Sequence, residues 1–193
     1  MSNTKNVVII NGATRIKGNT DTLIKKIIES STDPNLNIKL YTLRDKKIDD
    51  CIGCYNCYEK NKCSIKDDMR EIHEAIQTAN LLIFASPLYW WGVTGLMKTF
   101  IDRLYLYYPL KNRHLISGKK AIIITTMAVK EVQEEAKILI EFYRLLFNRL
   151  DIKTVDTVFF SGIMKKGELL ENEGFINKAH LMGKNLIHYL EKK

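Results

Sequence analysis

Short apolar runs alternate with longer stretches of helical periodicity along this chain. Several runs are apolar at consecutive positions, which is typical of strands covered on both faces of a parallel sheet. Four strands are predicted at residues 7–10, 81–84, 121–124 and 155–160, and a weaker one at 38–43.

Apolar stripes at helical spacing fill the segments between and after these strands. They cover residues 23–28, 69–76, 97–108, 132–150 and 175–190, and Asp68 and Glu71 have the spacing of a capping box before the second stripe. Five strand–helix units in 193 residues predict one α/β domain over residues 1–193. We expect a three-layer sandwich: a five-stranded parallel sheet in the order 2-1-3-4-5, with helices on both faces.

Composition excludes several classes of protein. No run of about 18 apolar residues is present, so no membrane partner is predicted, and the first residues lack the pattern of a signal peptide. We therefore expect a cytoplasmic protein. The net charge is +8, but the lysines are spread along the chain without a dense basic stretch, which disfavours a nucleic-acid partner and favours small anionic ligands.

The first strand runs into NGATRIKGNT, residues 11–20, and then into a helix. Such a turn places free backbone N–H groups and the helix dipole where a phosphate can bind. The sequence has neither a Walker A spacing nor G-x-G-x-x-G, so the monophosphate of FMN is the predicted ligand. The alternative is that Asn19 and Thr20 only cap the helix. The candidate binding residues are Ala13, Thr14, Arg15, Lys17, Asn19 and Thr20.

A second polar and aromatic loop, SPLYWWGV, follows the third strand. In the predicted topology strands one and three flank the crevice in which ligands bind. Apolar walls and backbone donors suit an isoalloxazine ring, whereas the alternative is that the two tryptophans form a protein–protein interface. The candidate residues are Pro87, Leu88, Tyr89, Trp90, Trp91 and Gly92.

All four cysteines lie in a long predicted loop, residues 44–66. Cys51, Cys54, Cys57 and Cys63 have the spacing C-x2-C-x2-C-x5-C. Three thiolates two residues apart can bind one face of a [4Fe–4S] cluster, as the opening triplet of bacterial ferredoxins does. Zinc normally takes two cysteine pairs held further apart, and a disulfide is disfavoured in the cytosol.

The ordered set GATRIKGNT, CIGCYNC…C with KDDM, and SPLYWWGV…KTFIDR resembles the NAD(P)H-dependent FMN reductases, including their iron–sulfur flavoprotein branch. The resemblance covers roughly residues 5–126. It implies a flavodoxin-like fold, bound FMN and assembly into a homodimer or homotetramer. It also implies contacts from Thr125 and Thr126 to the flavin, although the glycine that often follows in the family is absent here.

Three functions follow from the resemblance. The first is an FMN-dependent oxidoreductase that passes electrons from NAD(P)H to a quinone, free flavin or other small acceptor. The second is an iron–sulfur flavoprotein that carries electrons between ferredoxin-like partners through FMN and a cluster. The third is an FMN-binding module without turnover. Many relatives keep these cysteines without a cluster, so both states of the thiols remain open, and no side chain is predicted to be catalytic.

Overall fold

The computed structural model describes residues 4–192, and the sheet within them confirms the predicted topology. Five parallel strands lie in the order β2-β1-β3-β4-β5. No helix of this part of the chain is long and apolar enough to cross a membrane. The strands are β1 Lys5–Asn11, β2 Leu36–Thr42, β3 Leu81–Pro87, β4 Lys120–Thr126 and β5 Lys153–Phe160.

Alternate residues of the central strands enter two separate cores. Val8 and Ile10 pack on one face of the sheet, and Val7 and Ile9 pack on the other. Because helices cover both faces, consecutive positions are apolar, as the sequence pattern predicted.

Two groups of helices cover these faces. The first core contains residues of α3 Met69–Thr78, α4 Gly95–Arg103 and α7 Lys137–Leu150. The second contains residues of α1 Asn19–Ser30, α8 Glu168–Glu171, α9 Glu173–Lys184 and α10 Leu186–Glu191. Three one-turn helices complete the set in the described residues: α2 Asn56–Glu59, α5 Leu110–Arg113 and α6 Val132–Glu135.

Three of the predicted helices are interrupted within their apolar stripes. The stripe over residues 97–108 ends as α-helix at Arg103 and continues as a 3₁₀ turn, Leu104–Tyr107. The stripe over 132–150 breaks at Ala136 and the last stripe breaks at Asn185, each at φ −98° and ψ near 0°.

The predicted capping box of α3 is wrong. Asp68 precedes the helix but its side chain makes no cap hydrogen bond, because its carboxylate accepts from the backbone N–H of Lys47 at 2.7 Å. Asp67 accepts from Met69 N instead, at 3.1 Å. Both carboxylates thus hold the end of the cysteine loop, which also contains the short helix α2 that the sequence pattern did not indicate.

Candidate functional site

A cleft of about 220 Å³ opens at the carboxyl ends of β1, β3 and β4. This is the point at which the strand order reverses, where open α/β sheets bind their ligands. The loops after β1, β3, β4 and β5 all contribute. The lining residues are Ala13, Thr14, Arg15, Gly18, Asn19, Thr20, Pro87, Leu88, Tyr89, Thr126, Met127, Ala128, Ile163 and Met164.

The cleft brings together most of the residues predicted to bind the cofactor. Lys17, Gly92 and Thr125 are not among its lining residues, and Thr125 is buried within β4. Trp90 and Trp91 line an adjoining groove that shares Leu88, Met127 and Ala128 with the cleft. The two tryptophans therefore stand beside the cleft and do not form its wall.

The first turn of α1 faces this cleft without a side-chain cap. The N-cap residue is Gly18, and neither Asn19 nor Thr20 is the capping residue. The Asn19 side chain instead donates to Lys165 O at 2.9 Å and accepts from Gly167 N at 3.1 Å. Because the first N–H groups of a helix have no partner within it, this end of α1 can receive an anion.

Asp21 organises the loop that precedes α1. Its carboxylate accepts from the side chain of Asn11 at 2.7 Å, the backbone N–H of Lys17 at 2.7 Å and the guanidinium of Arg44 at 2.9 Å. Arg44 also donates to the carbonyl of Ala13 at 3.1 Å. The loop is thereby fixed before any ligand binds, and Lys17 contributes its backbone to this network.

Thr94 joins the two predicted ligand loops. Its hydroxyl donates to the carbonyl of Gly12 at 2.7 Å and accepts from Met97 N at 3.2 Å as the N-cap of α4. A side chain at Gly12 would lie 2.9 Å from the Cβ of Met97, so only glycine allows this approach. Sequence reasoning missed Thr94, although its position one residue before a helix is a capping signal.

The loop after β3 closes as a tight hairpin. Tyr89 and Gly92 exchange two backbone hydrogen bonds of 3.0 Å, and Trp90 and Trp91 between them have φ of 47° and 58°. Two consecutive left-handed residues are the requirement of a type I′ turn, which normally selects Asn or Gly. Trp91 Nε1 donates to Glu135 at 3.0 Å, whereas the side chain of Trp90 is 89% exposed.

Sequence reasoning missed the loop after β5, and it indicated the loop after β4 only through Thr125 and Thr126. Met127 and Ala128 follow β4, and Ile163 and Met164 follow β5. Arg15 donates to the carbonyl of Met164 at 2.9 Å, so the loop after β5 is held against the first loop. The carboxyl ends of parallel strands meet at one edge, which is the signal that could have identified these loops.

The four cysteines line one cavity, which shares no lining residue with the cleft. Its wall also contains Tyr55, Tyr105, Ser64 and Arg103. All four thiols are free, and Cys51 and Cys54 are exposed. Within residues 4–192, no three His, Cys, Asp or Glu side chains are grouped closely enough to hold a single metal ion.

The thiols differ in their surroundings. A hydrogen bond with the Ser64 hydroxyl, 3.0 Å away, and contacts with Asn56 lower the pKa of Cys54 to about 7. Burial raises the pKa of Cys57. With this lowered pKa, the exposed thiol of Cys54 is partly ionised at neutral pH. The thiolate form is the one that binds metals and acts as a nucleophile.

Comparison with known proteins gives relatives that are named for both an iron–sulfur cluster and a flavin. An iron–sulfur flavoprotein of Methanocaldococcus jannaschii is 34% identical over 119 residues, which cover 60% of this chain and 61% of that protein. An iron–sulfur flavoprotein of Clostridioides difficile is 36% identical over 124 residues, covering 62% of this chain and 53% of that protein. The chain thus spans about half to three fifths of the length of these curated relatives.

A solved structure confirms the flavodoxin-like fold over nearly the whole chain. The NAD(P)H:quinone oxidoreductase from Methanothermobacter marburgensis superposes with a TM-score of 0.73 at 20% identity, covering 96% of this chain and 98% of that one. The profile of the family described as NADPH-dependent FMN reductase matches residues 5–160, which include every strand, the cleft loops up to β5 and the cysteine cavity. By this match the chain belongs to the NADPH-dependent FMN reductase family.

Proposed function

We propose that this chain is an FMN-dependent oxidoreductase that passes electrons from NAD(P)H to a small acceptor such as a quinone or a free flavin. The observation that carries the proposal is the cleft at the reversal of strand order, which combines an uncapped helix N-terminus with an apolar and aromatic wall. When bound, FMN supplies a ring that accepts a hydride and gives up the electrons to the acceptor.

The residues of the first loop suit the phosphate of FMN. The hydroxyls of Thr14 and Thr20 and the first-turn N–H groups of α1 offer donors, and Arg15 adds positive charge. Thr14 is already placed by a 3.1 Å hydrogen bond to the hydroxyl of Tyr89. Ala13 provides no hydroxyl, so Thr14 is the first hydroxyl residue of this loop.

The remaining walls suit the flavin ring. Leu88 and Tyr89 lie on one loop of the cleft, and Ile163 and Met164 lie on another. These side chains provide the mostly apolar lining that small-molecule sites share, and they exclude water from a bound ring. Trp90 beside the cleft and Met164 in its lining are both exposed, so a nicotinamide, an acceptor or a second copy of the chain can cover them.

Titration with FMN and anaerobic reduction test this proposal. We expect the refolded chain to bind one FMN and NADH or NADPH to bleach its absorbance, with reoxidation by a quinone. Failure to bind FMN would contradict the proposal. FMN that binds but is reduced by neither nucleotide would also contradict it, and reduction by a ferredoxin would then distinguish the iron–sulfur flavoprotein from the binding module without turnover.

A second candidate function uses the cysteine cavity. All four cysteines line one cavity, and four cysteine thiolates are the ligand set of a [4Fe–4S] cluster. Such a cluster supplies one-electron chemistry, so the protein would convert paired electrons into single ones for ferredoxin-like partners. The names of the relatives also support this candidate.

Purification without oxygen decides between the two candidates. Four iron and four sulfide per chain, with a broad absorbance shoulder that Cys57→Ser removes, would support the cluster. Cys51 and Cys54 are exposed and can oxidise in air, so the same assay in reductant serves as the control. A full complement of FMN with no iron after reconstitution would contradict the second candidate function and support only the first.

Assembly of the proposed enzyme follows from its exposed aromatic residues. Trp90 is 89% exposed and Tyr55 is 60% exposed, on the loops beside the two sites. Large apolar side chains on a loop favour a covering partner, and we propose a homodimer or homotetramer. Light scattering at several protein concentrations tests this, and a monomer throughout would contradict it.

A further inference from the structure

Arg103 is the last residue of α4 and one of the largest fully buried side chains of the described residues. Its guanidinium and the carboxylate of Asp67 form a bidentate ion pair, with N–O distances of 2.6 and 3.1 Å. The side chains of both are 1% exposed. A buried pair of this kind contributes little net stability, since an apolar pair of the same volume often serves as well.

The other two hydrogens of the guanidinium fork reach the cysteine loop. Nη1 donates to the carbonyl of Asp49 at 2.7 Å, and Nη2 donates to Cys63 Sγ at 3.4 Å. The two terminal nitrogens thus use all four of their hydrogens. Since Asp49 precedes Cys51 and Asp67 follows Cys63, Arg103 holds both ends of the loop that contains the four cysteines.

This hydrogen bond differs from the others that reach a cysteine sulfur. Cys54 is contacted by Asn56 and Ser64, which both belong to the loop itself. Arg103 belongs to a helix of the core, so its position is fixed independently of the loop. It also lines the cavity that the four cysteines share.

Other core contacts hold the loop without touching a sulfur. Thr99, also on α4, donates to the side chain of Asp50 at 2.7 Å, and Asn112 donates to the carbonyl of Cys57 at 3.1 Å. These contacts hold the loop next to Cys51 and at Cys57. Cys63 is separated from them by five residues, and Arg103 is the contact that brings it to the same cavity.

We propose that Arg103 is the positioning residue of the cysteine site: it fixes Cys63 opposite the Cys51–Cys54–Cys57 triplet and directs a cation and an N–H group at the bound group. The part of this inference that concerns the cluster rests on the second candidate function. The donated N–H and positive charge suit an anionic thiolate-ligated cluster, because hydrogen bonds to the sulfurs and nearby charge set its properties.

The variant Arg103→Lys tests the proposal while keeping a cation beside Asp67. An ammonium cannot reproduce the planar fork, so it cannot bind Asp67, Asp49 and Cys63 together. Asp102→Asn is the matched control, because Asp102 is the preceding residue and pairs only with the exposed Lys98 in the described hydrogen bonds. If Arg103→Lys does not fold, the double variant Arg103→Gln/Asp67→Asn removes both buried charges at once.

Hydrogen–deuterium exchange of the cluster-free protein is the first readout. We expect peptides from residues 44–66 to exchange at least about tenfold faster in Arg103→Lys, with the sheet and FMN affinity unchanged. Unchanged exchange of the loop would overturn the proposal. A uniform rise over the whole sheet would also overturn it, because that result identifies a general structural role.

Iron retention after anaerobic reconstitution is the second readout. We expect a chelator to remove iron about tenfold faster or more from Arg103→Lys than from Asp102→Asn. Equal rates would overturn the role towards the cluster. If the unsubstituted protein takes up neither iron nor sulfide, the cluster function fails, and loop exchange alone then decides whether Arg103 positions the cysteines.

Discussion

The hydroxyl groups of Thr20 and Thr126 lie 2.8 Å apart and tie the first turn of α1 to the last residue of β4. Both residues are buried and both line the cleft. The pair joins two segments that lie 106 residues apart in the sequence, at the point where we place the phosphate end of FMN.

Thr20→Val is expected to lower the free energy of unfolding by about 1–2 kcal/mol, because it leaves the buried Thr126 hydroxyl without its partner. Denaturant unfolding measures this loss. Thr154→Val, on the exposed part of β5, is the control and should change stability little.

The double variant Thr20→Val/Thr126→Val separates folding from binding. Since both partners are then apolar, most of the lost stability should return. FMN affinity should stay reduced, because the Thr20 hydroxyl is proposed to donate to the phosphate. Full recovery of FMN affinity in a fluorescence titration would exclude that contact.

Gly183→Ala is expected to destabilise the fold strongly. A side chain at Gly183 of α9 would overlap the carbonyl oxygen of Ile27 and the hydroxyl of Ser30 on α1, so the helices must separate. Overpacking of this kind costs about 1–3 kcal/mol. Thermal or denaturant unfolding measures the effect.

Gly95→Ala is the matched control for that substitution. Gly95 begins α4, is exposed, and has no atom within 4 Å of the position of an added Cβ. We expect unchanged or slightly higher stability, since alanine favours a helix over glycine by up to about 1 kcal/mol. Equal effects at the two positions would contradict the close packing of α1 and α9.

The Trp90–Trp91 hairpin predicts a conflict between stability and function. Both residues have positive φ, a conformation that costs a bulky side chain about 1–2 kcal/mol. Trp90→Asn should therefore raise the free energy of unfolding by roughly 0.5–1 kcal/mol, because asparagine tolerates this conformation and Trp90 packs little within the chain.

Trp90→Ala removes the same ring without relieving the backbone, so it isolates the strain. We expect both variants to lose turnover or self-association to a similar degree, and only Trp90→Asn to gain stability. Steady-state reduction of a quinone and light scattering measure the first effect. A variant that keeps both properties would show that the ring of Trp90 has neither role.

His73 predicts how stability depends on pH. Burial lowers the pKa of His73 to about 3, assisted by the charge of Arg103 and opposed by Asp67. The unfolded histidine has a pKa near 6.5, so the unfolded chain binds more protons between about pH 3 and 6.5. Stability should therefore be complete above about pH 6.5 and fall as the pH drops, by at most about 1.4 kcal/mol per pH unit.

His73→Gln should flatten this dependence, whereas His114→Gln, at an exposed position, should leave it unchanged. Denaturant unfolding between about pH 4.5 and 7.5, which covers the upper part of the transition, measures both slopes. Identical slopes for all three proteins would contradict a neutral buried His73. The hydrogen bond of 3.0 Å between His73 Nδ1 and the Tyr107 hydroxyl is the contact that a glutamine can partly retain.

The strands were predictable because each is a short run of consecutive apolar residues. Residues 7–10, 81–84 and 121–124 are covered on both faces, and this burial requires consecutive apolar positions. Helix ends were less predictable, since Ala136 and Asn185 interrupt helices without a glycine or proline to announce the break. The Asp68 cap failed because Lys47, distant in the sequence, competes for its carboxylate.

The sequence by itself determined the sheet, its order and two of the loops at its carboxyl edge, because strand burial and loop position depend on local pattern. Only the tertiary structure decided which residues from distant parts of the chain contact these loops. The loop after β5 reaches Arg15, and Arg103 reaches Cys63 across 40 residues. Such contacts depend on the packing of separate elements, and neither composition nor spacing encodes the direction of a side chain in the folded protein.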